Sequence, residues 1–251
     1  MTPSNGQAWH AKDWGRARPD LFESPDTNAF LYLELRTLAA LARALGRDAE
    51  ARDWDRRARR LAAAINRWLL DPVTHAYQDR HVETGAFTGL LNLATFIPVY
   101  AGIAPRAAAV HMCRRYLLNP EHFLTAMPFP VVDRAHPTFR SGGFLHAPPG
   151  FPGSLVQHAY WRGRTWIHGD YWLLGALWRC GLRKEADEMA ARILAAVDRG
   201  EGINECYDSL TGYGNGHPEF MWSSAAVLML AVRHYRRPPV ARLAGSETAG
   251  H

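Results

Sequence analysis

The residue types best suited to chemistry are concentrated at positions 160–182, in the stretch YWRGRTWIHGDYWLLGALWRCGL. This stretch combines four tryptophans and two tyrosines with arginines, a histidine and an aspartate. Flat aromatic rings can stack on the apolar faces of sugars, while arginine and aspartate can hydrogen-bond to hydroxyl groups. No glycine-rich phosphate loop leads into a helix here, which argues against a nucleotide ligand. The stretch therefore favours a carbohydrate substrate.

The aromatic residues of this stretch fall into two groups. Trp172 and Trp178 lie on a predicted helix that follows Thr165, and we interpret both as core residues. The rings of Tyr160, Trp161 and Trp166 flank Gly163, where the absence of a side chain permits close approach of the backbone. The predicted substrate-binding residues of the stretch are Tyr160, Trp161, Arg162, Gly163, Trp166 and Asp170.

One carboxylate is a candidate for acid–base catalysis. Glu205 lies in a predicted loop between helices, within GINECYDSLTGYGNGHPEFMWSSAAVLML, residues 202–230. Its aromatic neighbours Tyr207, Tyr213 and Trp222 could partly remove it from water and tune its pKa. A glycosidase needs two carboxyl groups across the scissile bond. We therefore predict that Glu205 is one of that pair and that Tyr207 and Trp222 bind substrate; a solvated loop carboxylate is the alternative.

Composition and charge narrow the classes of protein. The chain has 251 residues, of which 47% are hydrophobic and 21% charged, as in one large globular domain. Its net charge is +5, but arginines alternate with acidic residues in stretches such as GRDAEARDWDRRARR. That pattern is typical of solvated helix surfaces, so we expect no nucleic-acid partner. No run approaches the roughly 20 apolar residues of a membrane helix, so we expect no membrane partner.

Cysteine and histidine placement predicts neither a cofactor nor a metal site. Cys113, Cys180 and Cys206 are odd in number and far apart, which argues against a disulfide framework or a metal cluster. The histidines, His168 among them, show no metal-ligand spacing such as H-E-x-x-H. Separate thiols and the lack of a signal-peptide pattern in residues 1–25 favour the cytoplasm.

Helical periodicity accounts for most of the chain, so the predicted class is all-α. About seven helices in antiparallel pairs indicate a toroid of paired helices, whose loops at one end build a site. Residues 1–25 are predicted to form an extended lead-in, residues 26–237 the helical domain, and residues 238–251 a frayed tail.

Residues 119–159 interrupt the helical pattern. They are rich in proline and glycine and show no period, which in a compact domain usually marks a functional or disordered loop. Their phenylalanines, which are too apolar to leave in water, include Phe123, Phe129, Phe139 and Phe144. We therefore expect an ordered loop that packs over the same end of the helices as the site.

Five segments occur together in the order and spacing of a known family. They are DTNAFLYLELRTLAALARALG, HAYQDRHVETG…FIPVYAGIA, LLNPEHFLTAMPFPVVDRAHPTF, YWRGRTWIHGDYWLL and NECYDSLTGYGNG…FMWSSAAVL. Together they resemble the C-terminal half of the catalytic domain of glycoside hydrolase family 63 and of its mannosylglycerate and glucosylglycerate hydrolase relatives. The resemblance covers residues 25–237.

This resemblance implies a fold, a reaction and a set of site residues. The fold is an (α/α)6 toroid, and the reaction is inverting hydrolysis of an α-glucosidic or α-mannosidic bond. Glu205 matches the general base, which activates water on the face opposite the leaving group. The residues that match the sugar subsite are Tyr160, Trp161, Arg162 and Trp166.

Three positions near these residues depart from the family's pattern. Arg164 stands where the family usually has proline, Asp170 stands where it has asparagine, and Cys206 follows the glutamate. These changes could alter substrate choice, but they leave Glu205 in place.

The family's general acid is an aspartate in a motif like SGWDxSPR, and this chain shows no such motif. Asp13 and Asp20, in AKDWGRARPD, lack its flanking residues. We therefore expect the C-terminal portion of a longer catalytic domain, which needs an N-terminal portion or a partner chain and alone hydrolyses glycosides poorly. The alternative is a non-catalytic carbohydrate-binding or partner-requiring remnant that lacks the general acid. A polysaccharide lyase on the same toroid is a weaker candidate, because the glutamate-centred motif argues against it.

Overall fold

The computed structural model describes residues 19–141, 161–200 and 202–235. Seven α-helices lie in this part of the chain, which confirms the predicted all-α class. They are α1 (Pro25–Ala44), α2 (Asp48–Trp68), α3 (Ile97–Ala101), α4 (Arg106–Met112), α5 (Ile167–Cys180), α6 (Arg183–Asp198) and α7 (Met221–Tyr235). Two antiparallel pairs of two-residue strands accompany them, β1 (Phe22–Glu23) with β2 (Arg80–His81), and β3 (Cys206–Tyr207) with β4 (Gly214–Asn215).

Some of the predictions concern residues outside the described part of the chain. These are Tyr160, Asp13, Phe144, residues 1–18 of the lead-in, residues 142–159 of the predicted loop, and the tail 238–251. The described end of the lead-in contains a short 3-10 turn, Pro19–Leu21, followed by β1.

The helices follow from local sequence signals. α1 begins at Pro25, whose fixed backbone suits the first position of a helix. Gly181 caps α5, because its positive φ of 82° lets its N–H reach back to the carbonyl of Leu177. On α2, Arg57 donates to Asp53 at 2.7 Å across one helical turn, as expected of a solvated helix face.

The helices form an inner and an outer layer. The inner layer consists of α1, α3, α5 and α7, which pack on one another in that order. In the outer layer, α2 packs on α1, α4 packs on α5, and α6 packs on both α5 and α7. One apolar core runs through the layers, with Ile97 of α3, Leu174 of α5 and Leu230 of α7 buried in it.

The two ends of the inner layer carry exposed apolar side chains. Those at α1 are Leu31, Leu38, Leu41 and Leu45, and those at α7 are Met221, Trp222, Leu228, Met229 and Val232. In a closed ring each inner helix has inner neighbours on both sides. Within the described ranges, α3 is the main inner neighbour of α1, and α5 is the main inner neighbour of α7. None of the described helices is long and apolar enough to cross a membrane.

Candidate active site

A ribbon of three backbone segments lies at the end of the helices where α5 and α7 begin. The N–H of Val131 donates to the carbonyl of Arg164 at 3.0 Å. Thr165 and Tyr207 exchange two backbone hydrogen bonds, each of 2.9 Å. The ribbon thereby joins the proline-rich loop to the aromatic stretch, and the aromatic stretch to the segment that carries Glu205.

The proline-rich loop, described over residues 119–141, packs against this ribbon. The Thr165 hydroxyl donates to the carbonyl of Met127 at 2.9 Å. The described phenylalanines of the loop, which are buried or half-buried, are Phe123, Phe129 and Phe139. The prediction of an ordered loop packed over this end of the helices is therefore confirmed for the described residues.

Trp161 and Trp166 stack face to face beside the ribbon. Their ring centroids are 4.0 Å apart, and their planes differ by 6°. Gly163 permits the tight turn between them, because a Cβ there would lie 2.5 Å from the carbonyl oxygen of Arg140. Arg162 is partly buried, and burial together with the nearby Arg140 lowers the pKa of its guanidinium. A second positive charge therefore lies close to Arg162.

His168 lies at the centre of an aromatic cluster that extends from this stack. The cluster consists of Trp161, Trp166, His168, Trp172, Phe220 and Trp222. The ring centroid of His168 is 5.3 Å from that of Trp222 and 5.6 Å from that of Trp166. Burial lowers the pKa of His168 to about 4, so the ring is neutral near neutral pH. Trp222 is 61% exposed, so a ligand in solvent can reach its ring.

Sequence patterns alone do not reveal this position of His168. The available signal is its spacing from Trp172, because residues four apart on a helix share a face. Trp172, predicted as core, is half-buried and packs edge-on against Phe30 of α1 with centroids 5.0 Å apart. In the ranges that the structure describes, no group of three or more histidine, cysteine, aspartate and glutamate side chains could hold a metal ion.

Glu205 lies directly before β3, beside the aromatic cluster, and is 6% exposed. The N–H of His217 donates to its Oε2 at 3.1 Å, and its own N–H donates to the carbonyl of His217 at 2.8 Å. The neighbouring Cys206 packs in one apolar group with Trp161 and Trp166. The backbone therefore holds a carboxylate next to the rings that are predicted to bind sugar.

Two other predicted substrate-binding residues, Tyr207 and Asp170, have buried side chains. The hydroxyl of Tyr207 accepts a hydrogen bond from the N–H of Asn204 at 3.1 Å. Oδ1 of Asp170 accepts from the N–H of Phe129 at 3.3 Å, whereas Oδ2 has no hydrogen-bond partner in the described part of the chain. Burial raises the pKa of Asp170 well above its usual range, because the carboxylate loses its hydration. In this structure both side chains contact protein atoms.

We expect Asp170→Asn to raise the free energy of unfolding at neutral pH by about 1–3 kcal/mol, because it removes a buried ionisable carboxyl. The folded-state pKa of Asp170 is raised, so its destabilising contribution grows as the pH rises above the unfolded value of 3.8. Asparagine keeps an oxygen that can accept from the N–H of Phe129. Urea unfolding at mildly acidic and at neutral pH measures the difference.

The matched control for this substitution is Asp53→Asn, since Asp53 pairs with arginines on the surface of α2. Loss of a surface pair should lower stability by no more than about 1 kcal/mol. If Asp170→Asn left both the stability and its pH dependence unchanged, the buried carboxyl would not be costly.

An open cleft of about 820 Å³ lies at the opposite end of the inner helices. Its lining residues are Leu33, Tyr100, Gly175, Trp178, Arg179, Arg183, Asp187 and Arg233. Two of its arginines lie in the last turns of α5 and α7, where the helix dipole stabilises positive charge. The guanidinium of Arg233 also lies 3.8 Å from the ring centroid of Trp178. None of the predicted site residues lines the cleft.

Comparison with known proteins identifies the family of this chain. A family model described as the mannosylglycerate hydrolase MGH1-like glycoside hydrolase domain matches residues 3–223. The chain belongs to this family. It is 33% identical over 213 residues to a mannosylglycerate hydrolase from Rubrobacter radiotolerans, a match that covers 84% of this chain and 44% of the relative. A mannosylglycerate hydrolase from Thermus thermophilus is 29% identical over 211 residues, which cover 80% of this chain and 43% of that relative.

Solved structures show the fold of this MGH1-like chain. A glycoside hydrolase family 63 mannosylglycerate hydrolase from Thermus thermophilus, in complex with Tris and D-glycerate, matches with a TM-score of 0.67 and 26% identity. That match covers 86% of this chain and 46% of the other. Neutral trehalase Nth1 from Saccharomyces cerevisiae matches with a TM-score of 0.65 at 17% identity, over 92% of this chain and 43% of the trehalase. The predicted family and the (α/α)6 toroid type of fold are confirmed, and the chain spans less than half the length of these relatives.

Two positions at which this MGH1-like chain departs from the family's usual pattern lie together. Arg164 is fully buried and hydrogen-bonds to the sulfur of Cys206. Burial raises the pKa of Cys206 to about 12; the charge of Glu205 adds to this effect, and Arg164 opposes it. A buried guanidinium therefore acts electrostatically on the segment that holds Glu205.

Proposed function

We propose that this chain forms the part of an inverting α-glycosidase site that contains the general base. Glu205 is that base, and the target is an α-mannosidic or α-glucosidic bond. The observation that carries the proposal is the position of the Glu205 carboxylate, held by the backbone of His217 beside the aromatic cluster. The mannosylglycerate hydrolase relatives support mannosylglycerate as the substrate. Glucosylglycerate is the other substrate that we propose.

Glu205 is suited to remove a proton from water. The N–H of His217 orients its carboxylate, which can then accept a proton as the water attacks the face opposite the leaving group. Inversion also needs an acid about 6.5–9.5 Å from the base, so that the water fits between them. Asp20 lies exposed in the turn before β1. We therefore assign the acid to an N-terminal portion or a partner chain.

The residues around the base match the two parts of such a substrate. The exposed ring of Trp222 offers a surface on which a sugar can stack, and the Trp161–Trp166 pair lies behind it in the same cluster. Arg162 and the nearby Arg140 together supply positive charge that suits the carboxylate of a glycerate group.

Turnover and its stereochemistry test this function. The protein, by itself and together with the N-terminal portion or partner that supplies the acid, is incubated with mannosylglycerate, glucosylglycerate and aryl α-glycosides. Proton NMR follows the anomer that forms first. Inverting hydrolysis of an α-glycoside should release the β-anomer first. Release of the α-anomer first would show retention, and Glu205 would then not act as the base of an inverting pair.

A second candidate function is that of a non-catalytic carbohydrate-binding or partner-requiring remnant. The exposed apolar side chains at α1 and α7 favour it, because contiguous surfaces of this kind usually mark interaction sites. Light scattering gives the mass of the protein in solution, and tryptophan fluorescence reports titration with mannosylglycerate. Sugar binding without turnover, even when the acid-supplying portion is added, would support the non-catalytic candidate, whereas turnover by the monomer would exclude this candidate.

We also propose that the protein works in the cytoplasm. Its three cysteines are free thiols in the structure, which fits a reducing compartment. Microscopy of a fluorescent fusion expressed in its own host checks this location, and fluorescence confined to the cell envelope would contradict it.

A further inference from the structure

We propose that Cys113 and Cys180 form an oxidation-sensitive thiol pair, which closes to a disulfide when hydrogen peroxide reaches the folded protein. The two residues are 67 positions apart in the sequence, yet their Sγ atoms lie 3.7 Å apart. Both side chains are buried, so each sulfur is held against the other by the core. A disulfide bond is about 2.05 Å long, so closure requires the two sulfurs to approach each other within the core.

Local structure explains how two distant cysteines come into contact. Cys113 begins a five-residue π-helical turn, Cys113–Leu117, directly after α4. Such turns are rare and often occur at functional sites. Cys180 is the last residue of α5, on which α4 packs. The thiol pair therefore connects the outer layer to an inner helix of the toroid.

The two thiols have different chemical roles. The two sulfurs share a hydrogen bond in which either can donate. When the Cys113 thiol donates, it lowers the pKa of Cys180; Arg106 and Arg179 add to this effect, and burial opposes it. The same hydrogen bond, together with burial, raises the pKa of Cys113. Because the thiolate is the nucleophilic form, Cys180 is the attacking thiol and Cys113 the resolving one.

The reaction is balanced with hydrogen peroxide as the oxidant. The Cys180 thiolate attacks one peroxide oxygen, the O–O bond breaks, and the released hydroxide takes up a proton to give the first water. The sulfur of Cys113 then attacks the sulfenic acid on Cys180 and the S–O bond breaks. The hydroxide leaves with the proton of the Cys113 thiol as the second water. Two thiols are oxidised to one disulfide, and one peroxide is reduced.

Cys206 provides an internal control within the same chain. It is also buried, but it packs with Trp161 and Trp166 in a separate apolar group. Its sulfur contacts the carbonyl of Asn215 at 3.7 Å and the guanidinium of Arg164. With its pKa raised to about 12 and no cysteine beside it, Cys206 should stay reduced.

Peroxide titration of the folded protein tests the proposal. After quenching, thiols are counted in denaturant and disulfide-linked peptides are identified by mass spectrometry. We expect two of the three thiols to disappear and the linked peptides to contain Cys113 and Cys180. Cys206→Ser should lose its remaining thiols at the same rate as the wild-type pair. Cys113→Ser should stop at a sulfenic acid on Cys180, which dimedone traps.

Three results would overturn the inference, and each can be seen with the wild-type chain even if a variant fails to fold. One is retention of all three thiols while the protein stays folded by circular dichroism. Another is a linked pair that includes Cys206. The third is linkage of Cys113 to Cys180 only after the protein has been unfolded in urea.

Discussion

Replacing Glu205 with glutamine, in the protein together with the portion or partner that supplies the acid, should lower kcat for the hydrolysed glycoside by roughly 10²–10⁴-fold, with little change in KM. Glutamine has nearly the same shape as glutamate and keeps an oxygen that can accept from the N–H of His217. It cannot take a proton from water, so the substitution removes the base without removing the packing. Initial rates on the preferred glycoside, measured side by side with the wild type, give the loss.

Glu219→Gln is the matched control for this experiment. Glu219 is an exposed glutamate just before α7, on the same connection as Glu205, and it has no proposed part in catalysis. It should keep wild-type rates. If the two glutamine variants lost activity equally, Glu205 would not be the base.

A rescue experiment separates a missing base from a damaged fold. Glu205→Ala leaves space beside the sugar, and azide is an anionic nucleophile that needs no proton removed. Added azide should therefore restore turnover and yield a glycosyl azide of inverted configuration. Azide that leaves Glu205→Ala inactive, while the protein still binds substrate, would argue against an attack site next to residue 205.

The helices could be predicted from the sequence because their signals are local. The charged face of α2 and the glycine that caps α5 each act within a few residues, so one segment is enough to recognise them. The combination of Glu205 with the aromatic cluster is different. It depends on two backbone hydrogen bonds between Thr165 and Tyr207, which no local pattern encodes. The resemblance to a known family, rather than helical periodicity, predicted that Glu205 and these aromatic residues belong to one site.

The burial of its polar residues is the property of the site that is least predictable from the sequence. Asp170 looks like a hydrogen-bonding group for a sugar when only its type is considered. On α5, however, it shares a face with Leu173, Leu174 and Leu177, all of which are buried. The helical spacing therefore indicates that this carboxyl points into the protein. The prediction that Asp170 binds substrate relied on its residue type instead.

The cysteines show a second limit of the same kind. The odd number and wide spacing of the cysteines argued against a disulfide framework or a metal cluster, and they gave no sign that Cys113 and Cys180 lie in contact. In a toroid of helix pairs, distant turns can pack side by side. The structure places the two sulfurs in contact and keeps them as free thiols. The contact between the two sulfurs could not be predicted from the spacing, because the fold decides which thiols meet.

Lowering the pH should destabilise the wild-type protein through His168, and His168→Phe should remove this dependence. Burial lowers the folded-state pKa of His168 to about 4, whereas the unfolded value is 6.5. Below the unfolded value the unfolded chain binds a proton that the folded chain does not. The stability contribution is therefore complete above pH 6.5 and is lost as the pH falls to about 4. The loss should be about 3 kcal/mol.

Urea unfolding followed by far-ultraviolet circular dichroism, at several pH values across this range, tests the expectation. Phenylalanine keeps an aromatic ring among Trp166, Trp172 and Trp222 but cannot bind a proton, so the variant's stability should fall less as the pH decreases. His111→Phe is the control, because His111 is exposed and lies on the outer helix α4. Comparing slopes, and not absolute stabilities, cancels any packing cost of the larger ring. Parallel pH curves for the wild type and His168→Phe would mean that protonation of His168 does not oppose folding. That result would contradict a neutral His168 ring at the centre of the aromatic cluster.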